Sequence, residues 1–113
     1  MLIAVGPLPD DPIAAAAEFH ARWMGQVLAA LDAGAAVVTL VFAPAPFAHT
    51  GWREAAIQLL ARERTPARIN AIAGDDQAEI AATAAFVDSA PGLTGQYLQL
   101  DGHGAGEVLF TSQ

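Results

Sequence analysis

The chain contains no cysteine and no lysine. Without cysteine there is no disulfide framework and no thiolate to hold a metal, and nothing points to an oxidising compartment, so a cytoplasmic protein is expected. Positive charge is scarce: five arginines stand against twelve carboxylates, for a formal charge of −7. Nucleic-acid affinity depends on clustered cations that release counterions, so a nucleic-acid partner is not expected. Only 15% of the residues are charged, against 54% apolar, a balance that disordered chains do not show. Long apolar runs are missing as well. The longest uncharged stretch, 33–48, carries Pro44 and Pro46 and falls short of the roughly 18 to 20 residues a membrane span requires. Residues 1–5 are apolar but lack a basic flank and run into Gly6, Pro7 and Pro9, which is not the pattern of a signal peptide.

What is present fits one packed unit. A length of 113 residues is that of a single domain, so residues 1–113 are read together. Much of the apolar content is alanine, as in 14–17 and 81–82 with 84–85, which favours close helix packing over a large aromatic core. The apolar surface exceeds what one small domain buries alone, and oligomerisation is expected.

Along the chain, Met1 to Val5 reads as a buried strand closed by Gly6 and two prolines. Asp11 as cap and Pro12 at the first helical position open a helix that runs to about Ala33 and ends at Gly34. Only Glu18, Arg22, Gln26 and Asp32 form a solvated stripe on it, so this helix is expected to be covered on two sides. Ala35 to Phe42 is apolar and rich in β-branched residues, the pattern of a central parallel strand. Thr50 to about Glu63 has helical periodicity, with Arg53, Glu54, Gln58 and Arg62 on its polar positions. Ala67 to Ala73 reads as a third strand. Asp76 with Glu79 three residues on resembles a capping box for a helix reaching Ser89, and Leu93 to Asp101 as a fourth strand precedes glycines 102, 104 and 106. Strands alternating with helices predict an α/β domain with a four-stranded parallel sheet and three main helices.

Two segments and the helix between them carry a family resemblance. Ala67 to Gly74, ARINAIAG, resembles the strand of short-chain dehydrogenases/reductases that ends in a VNAIAPG-type sequence. Leu93 to Gly102, LTGQYLQLDG, resembles that family's last strand, and IAATAAFVDSAPG is similar to the helix and turn before it. The resemblance implies a three-layer Rossmann-like fragment, truncated to the C-terminal half of the fold. It also implies a homodimer or homotetramer, with the helices at 12–33 and 50–63 pairing with their copies, or association with a full-length dehydrogenase relative.

Members of that family use a tyrosine as proton donor, a lysine four residues later and a serine. Here lysine is absent, the one tyrosine is Tyr97 in the last strand, and Thr50 and Glu54 stand near the places of the catalytic pair, with Val41 or Phe42 near that of the serine. Neither Thr50 nor Glu54 supplies an acid of suitable pKa beside a cation. No glycine-rich turn between a strand and a helix is present for a dinucleotide: Gly6 is followed by proline, and Gly102, Gly104 and Gly106 do not open a helix. The expectation is therefore no catalytic residue, no cofactor and no enzyme.

His20, His49 and His103 show no metal-ligand spacing, so no metal site is assigned. Asp75 and Asp76 are better explained by helix capping than as a catalytic pair. Two functions remain. One is association through an interface in which Phe19, Trp23 and Trp52 take part. The other is a small-molecule site beyond the carboxyl ends of the strands, with Phe42, His49, Thr50 and Asn70 as its wall.

Overall fold

Residues 1–101 are described in a computed structural model of the protein. The Asp11 carboxylate accepts from the amide of Ala14, and Pro12 follows it, so helix α1 begins there (Pro12–Glu18). The rod does not stay α-helical. Over Phe19–Trp23 it takes a π-helical turn, closed by the Met24 amide on the Phe19 carbonyl, before continuing as α2 (Met24–Asp32). Gly34, at φ 103°, adopts the left-handed conformation that a residue with Cβ avoids, and its amide bonds the Leu31 carbonyl to end the helix.

The strands β1 (Leu2–Ala4), β2 (Val37–Phe42), β3 (Arg68–Ala73) and β4 (Tyr97–Gln99) form one parallel sheet in the order β1-β2-β3-β4. Residues 1–5 do join the sheet, with Ile3 beside Leu40, and Phe42 pairs with Ala73 further along. Between β2 and β3 lie a 3₁₀ turn (Phe47–His49) and α3 (Thr50–Glu63); α4 (Gln77–Asp88) joins β3 to β4. The expected fourth strand from Leu93 shrinks to Tyr97–Gln99. The reason is that Thr94 Oγ1 and Gly95 N–H occupy the Ile69 amide and carbonyl, at 3.0 and 2.7 Å, ahead of the regular ladder.

Alternation along the strands separates two apolar layers. Val38, Leu40 and Phe42 face the same way as Ile69, Ala71 and Ala73, and this face is covered by Phe19 and Val27 of the long rod and by Ala56, Ile57 and Leu60 of α3. Ile72 and Val41 point to the other face, where Ile80 and Ala84 of α4 cover them. The sheet grows in one direction while α4 lies opposite the other helices, so the crossover through α4 has the opposite hand from the two before it. The result is three layers: helices, sheet, helix.

Two devices hold α4 in place. Asp76 accepts from the amides of Ala78 and Glu79, at 2.9 and 3.2 Å, satisfying donors of the first turn. At the far end Arg68, from the start of β3, donates through Nη1 to the carbonyls of Val87, Ala90 and Leu93 and through Nη2 to that of Asp88. A guanidinium placed on the carbonyls that end a helix satisfies them and complements the helix dipole. No helix of the described residues is long and apolar enough to cross a membrane.

Candidate functional site

The carboxyl ends of β1 and β2 open into two loops, 6–10 and 43–46, and the cavity between them is about 330 Å³ in volume. Phe42 closes its floor, and His49 and Arg53 reach it from the entry to α3. Helical spacing explains the pair: four residues apart, they project from the same side, while Trp52 turns back over Phe42 and Phe19.

Arg53 is 4% exposed. Its Nη1 donates to the carbonyl of Ala43 at 2.9 Å and to the hydroxyl of Tyr97 at 3.1 Å, tying the exit of β2 to β4. The guanidinium lies over the Phe42 ring, 4.4 Å from its centroid, and 5.7 Å from that of Trp52. Its Nε–H is buried without an acceptor among the described residues. Arg22 pairs with Glu18 and Arg64 with Asp32, whereas no carboxylate among the described residues pairs with Arg53.

His49, 5% exposed, is held at both ring nitrogens. Its Nδ1 lies 3.1 Å from the indole Nε1 of Trp52, a group that only donates, so Nε2 carries the proton and donates to the Asp10 carbonyl at 2.9 Å. This bond fixes the loop 6–10 against the entry of α3. The opposite end of that loop is set by Gly6, whose missing Cβ leaves room for Trp23: a Cβ there would lie 2.9 Å from the indole Cζ2. The π-helical turn ends at Trp23, and its buried Nε1–H has no acceptor among the described residues.

Of the four residues expected to form a ligand wall, Phe42 and His49 line this cavity. Thr50 is half-buried at the start of α3 and does not line it. Asn70 stands apart on the opposite face of the sheet, its amide committed to the Leu93 carbonyl and the Gln96 amide, each at 3.0 Å. Register explains the separation, because Asn70 pairs with Thr39, three residues from Phe42 and therefore on the other face. Sequence reading passes over Arg53, the loop 6–10 and Tyr97. Periodicity groups Arg53 with the polar positions of an amphipathic helix, and the one signal against that is its setting between two loops with prolines at 7, 9, 44 and 46.

The three residues expected at an interface also divide. Phe19 is fully buried within the chain, 5.6 Å from Phe42 and 5.5 Å from Trp52 between ring centroids, and so is not available to a partner. Trp23 and Trp52 are half-buried and packed on the same core. Large exposed apolar side chains lie elsewhere, at Ile13, Phe47 and Leu59 among others. His20, exposed on the rod, has its Nδ1 2.8 Å from the Ala16 carbonyl, and Asp76 is the cap of α4. His103 and the glycines at 102, 104 and 106 lie outside the described residues.

Two further hollows, of about 330 and 410 Å³, lie at the amino ends of the strands, the first around Leu31 and Pro66 and the second around Gln58 and Thr94. Neither is lined by a buried charged side chain. Ligands of open α/β sheets bind beyond the carboxyl ends. Position and charge therefore both select the cavity at Arg53.

The comparisons with known proteins agree with this architecture. A family model described as short chain dehydrogenase-like protein matches residues 3–100. Neither the curated proteins nor the solved structures give a match. The match spans most of the chain, from the first strand of the sheet to just beyond the last, and the chain therefore belongs to the short-chain-dehydrogenase-like family.

Proposed function

We propose that this protein is a non-catalytic member of its family that binds a small molecule in the cavity at the carboxyl ends of β1 and β2. The observation that carries this reading is Arg53: a buried guanidinium that lines a cavity and meets only neutral acceptors. Burying a charge without an opposite one is costly, and such a group beside an open cavity is a site for a ligand rather than a packing device. The absence of lysine supports a role without the family's chemistry, since no tyrosine–lysine pair exists to protonate a substrate. A cytoplasmic location accords with the lack of cysteine.

The test is a thermal-shift screen of the purified chain against a broad set of metabolites, with NADH and NADPH included. Stabilisation by a compound other than the nucleotides, without oxidoreductase turnover, is the expected result. Stabilisation by neither class would remove the ligand site, and turnover with a nicotinamide cofactor would remove the non-catalytic reading.

A second reading is favoured by a separate observation. Ile13 of α1 is 82% exposed and Leu59 of α3 is 44% exposed, on helices that pack against each other. An apolar surface of this kind fits self-association as a homodimer or homotetramer, or association with a full-length relative. Light scattering should give a multiple of the 11.6 kDa chain mass that Ile13→Glu with Leu59→Glu reduces to one chain. A monomeric parent that also fails to co-purify a dehydrogenase would sink this reading.

A further inference from the structure

We infer that the cavity at Arg53 selects a small organic monocarboxylate with an apolar body and rejects phosphate esters and nucleotides. This rests on the reading of the cavity as a ligand site and names the chemical class it takes. Three observations converge on it.

The first is the state of Arg53. Nη1 is spent on Ala43 and Tyr97, Nε–H is enclosed without an acceptor, and Nη2 makes no hydrogen bond with the described residues. Nη2 thus leaves one end of the guanidinium open to a ligand, enough to hold a single carboxylate through a charge-assisted hydrogen bond. An anion at this position offsets the charge that the chain itself leaves unbalanced.

The second is what the walls lack. Phosphate groups are held by several backbone amides converging at a glycine-rich turn or helix start. Here Pro7 and Pro9 alternate through one loop and Pro44 and Pro46 through the other, and proline has no N–H to give. The nearest side-chain donor, His49 Nε2–H, is occupied by the Asp10 carbonyl. Neither loop therefore offers two successive amides between its prolines with which to cradle a dianion, whereas a single carboxylate can be held at Arg53. A dianion is also repelled more than a monoanion by the net charge of −7, with Asp10 among the lining residues.

The third is size and lining. At about 330 Å³ the cavity is at the small end of the roughly 300 to 1,000 Å³ range of ligand pockets. Leu8, Phe42 and Ala45, with the four proline rings, supply the apolar surface for the rest of the ligand.

The experiment is calorimetric titration of the full chain with hexanoate and benzoate, with hexanamide and benzamide as neutral counterparts, and with inorganic phosphate and AMP. Trp23 on Gly6 and Trp52 on His49 flank the cavity, so tryptophan fluorescence gives a second readout. At least one carboxylate should bind, its amide at least tenfold more weakly, and phosphate and AMP no better than the amides. Ala45→Glu, which places a carboxylate in the wall and leaves the bonds of Arg53 intact, should weaken carboxylate binding at least tenfold. Arg53→Lys should do the same, but because Arg53 also joins β2 to β4 it counts only where its circular dichroism matches the parent. Amides that bind as tightly as acids, or phosphate that binds more tightly, would overturn the inference while the site reading survives. The inference also falls, and the site stands, if no carboxylate binds but the metabolite screen finds another ligand. No ligand of any kind would remove both.

Discussion

The indole of Trp52 donates its Nε1–H to Nδ1 of His49 at 3.1 Å, and through that imidazole it fixes the loop 6–10, since Nε2 donates to the Asp10 carbonyl. Trp52→Phe keeps the ring against Phe19 and Phe42 but leaves Nδ1 without its donor. The expected cost is about 1–2 kcal/mol, from a buried acceptor left unpaired. Urea unfolding measures it, and limited proteolysis should show faster cleavage in 7–10.

Arg68 makes a sharper case, because one side chain satisfies four carbonyls around the end of α4. Arg68→Met should destabilise the chain by about 2–3 kcal/mol, the range for hydrogen bonds to a charged group. Arg68→Lys should recover less than half of that, since an ammonium lacks the planar span to reach the same carbonyls. Equal stability of the lysine variant and the parent would show that charge alone suffices.

Two glycines should respond in opposite directions. Gly6→Ala places a methyl 2.9 Å from Trp23, where it must displace an indole rather than a flexible chain end, and should cost about 1–3 kcal/mol. Gly25, inside α2, has nothing within 4 Å of the place a methyl would take, so Gly25→Ala should stabilise by about 0.5–1 kcal/mol through helix propensity. Thermal melts of the two variants, run side by side, check the contrast.

The adjacent acids at the head of α4 also separate. Asp76→Ala removes the acceptor for two amides and should cost about 1 kcal/mol. Asp75→Ala, at an exposed position, should stay within about 0.5 kcal/mol of the parent. Similar losses in both would show that the pair acts together rather than as a cap and its neighbour.

The order of strands and helices could be read from the chain because its punctuation is strong: Pro12, Gly34, Pro66 and Asp76 sit where elements begin or end. The π-helical turn at Phe19–Trp23 could not, since no residue type in it distinguishes one hydrogen-bond span from the next. Nor could the placement of α4. β2 and β3 are buried on both faces, and a strand covered on both sides does not announce which helix covers which. The expected ligand wall broke for the same reason at Asn70, whose face is decided by register with Thr39 rather than by anything in its neighbours. Arg53 escapes sequence reading because a charged residue on an amphipathic helix is ordinarily solvated; only the rings of Phe42 and Trp52 stacked about it reveal the exception.

The prolines that interrupt the amides along the cavity wall act on the sheet as well. Among the described residues β1 is an outer strand, and it presents three residues before the chain enters Gly6-Pro7-Leu8-Pro9. An incoming strand that tried to extend the ladder along this margin would meet two positions without an amide hydrogen within four residues. Fibrillar growth needs a long, evenly spaced row of such groups. The loop that lines the cavity thus also shortens the margin along which an alanine-rich, strongly apolar chain could pair with another strand.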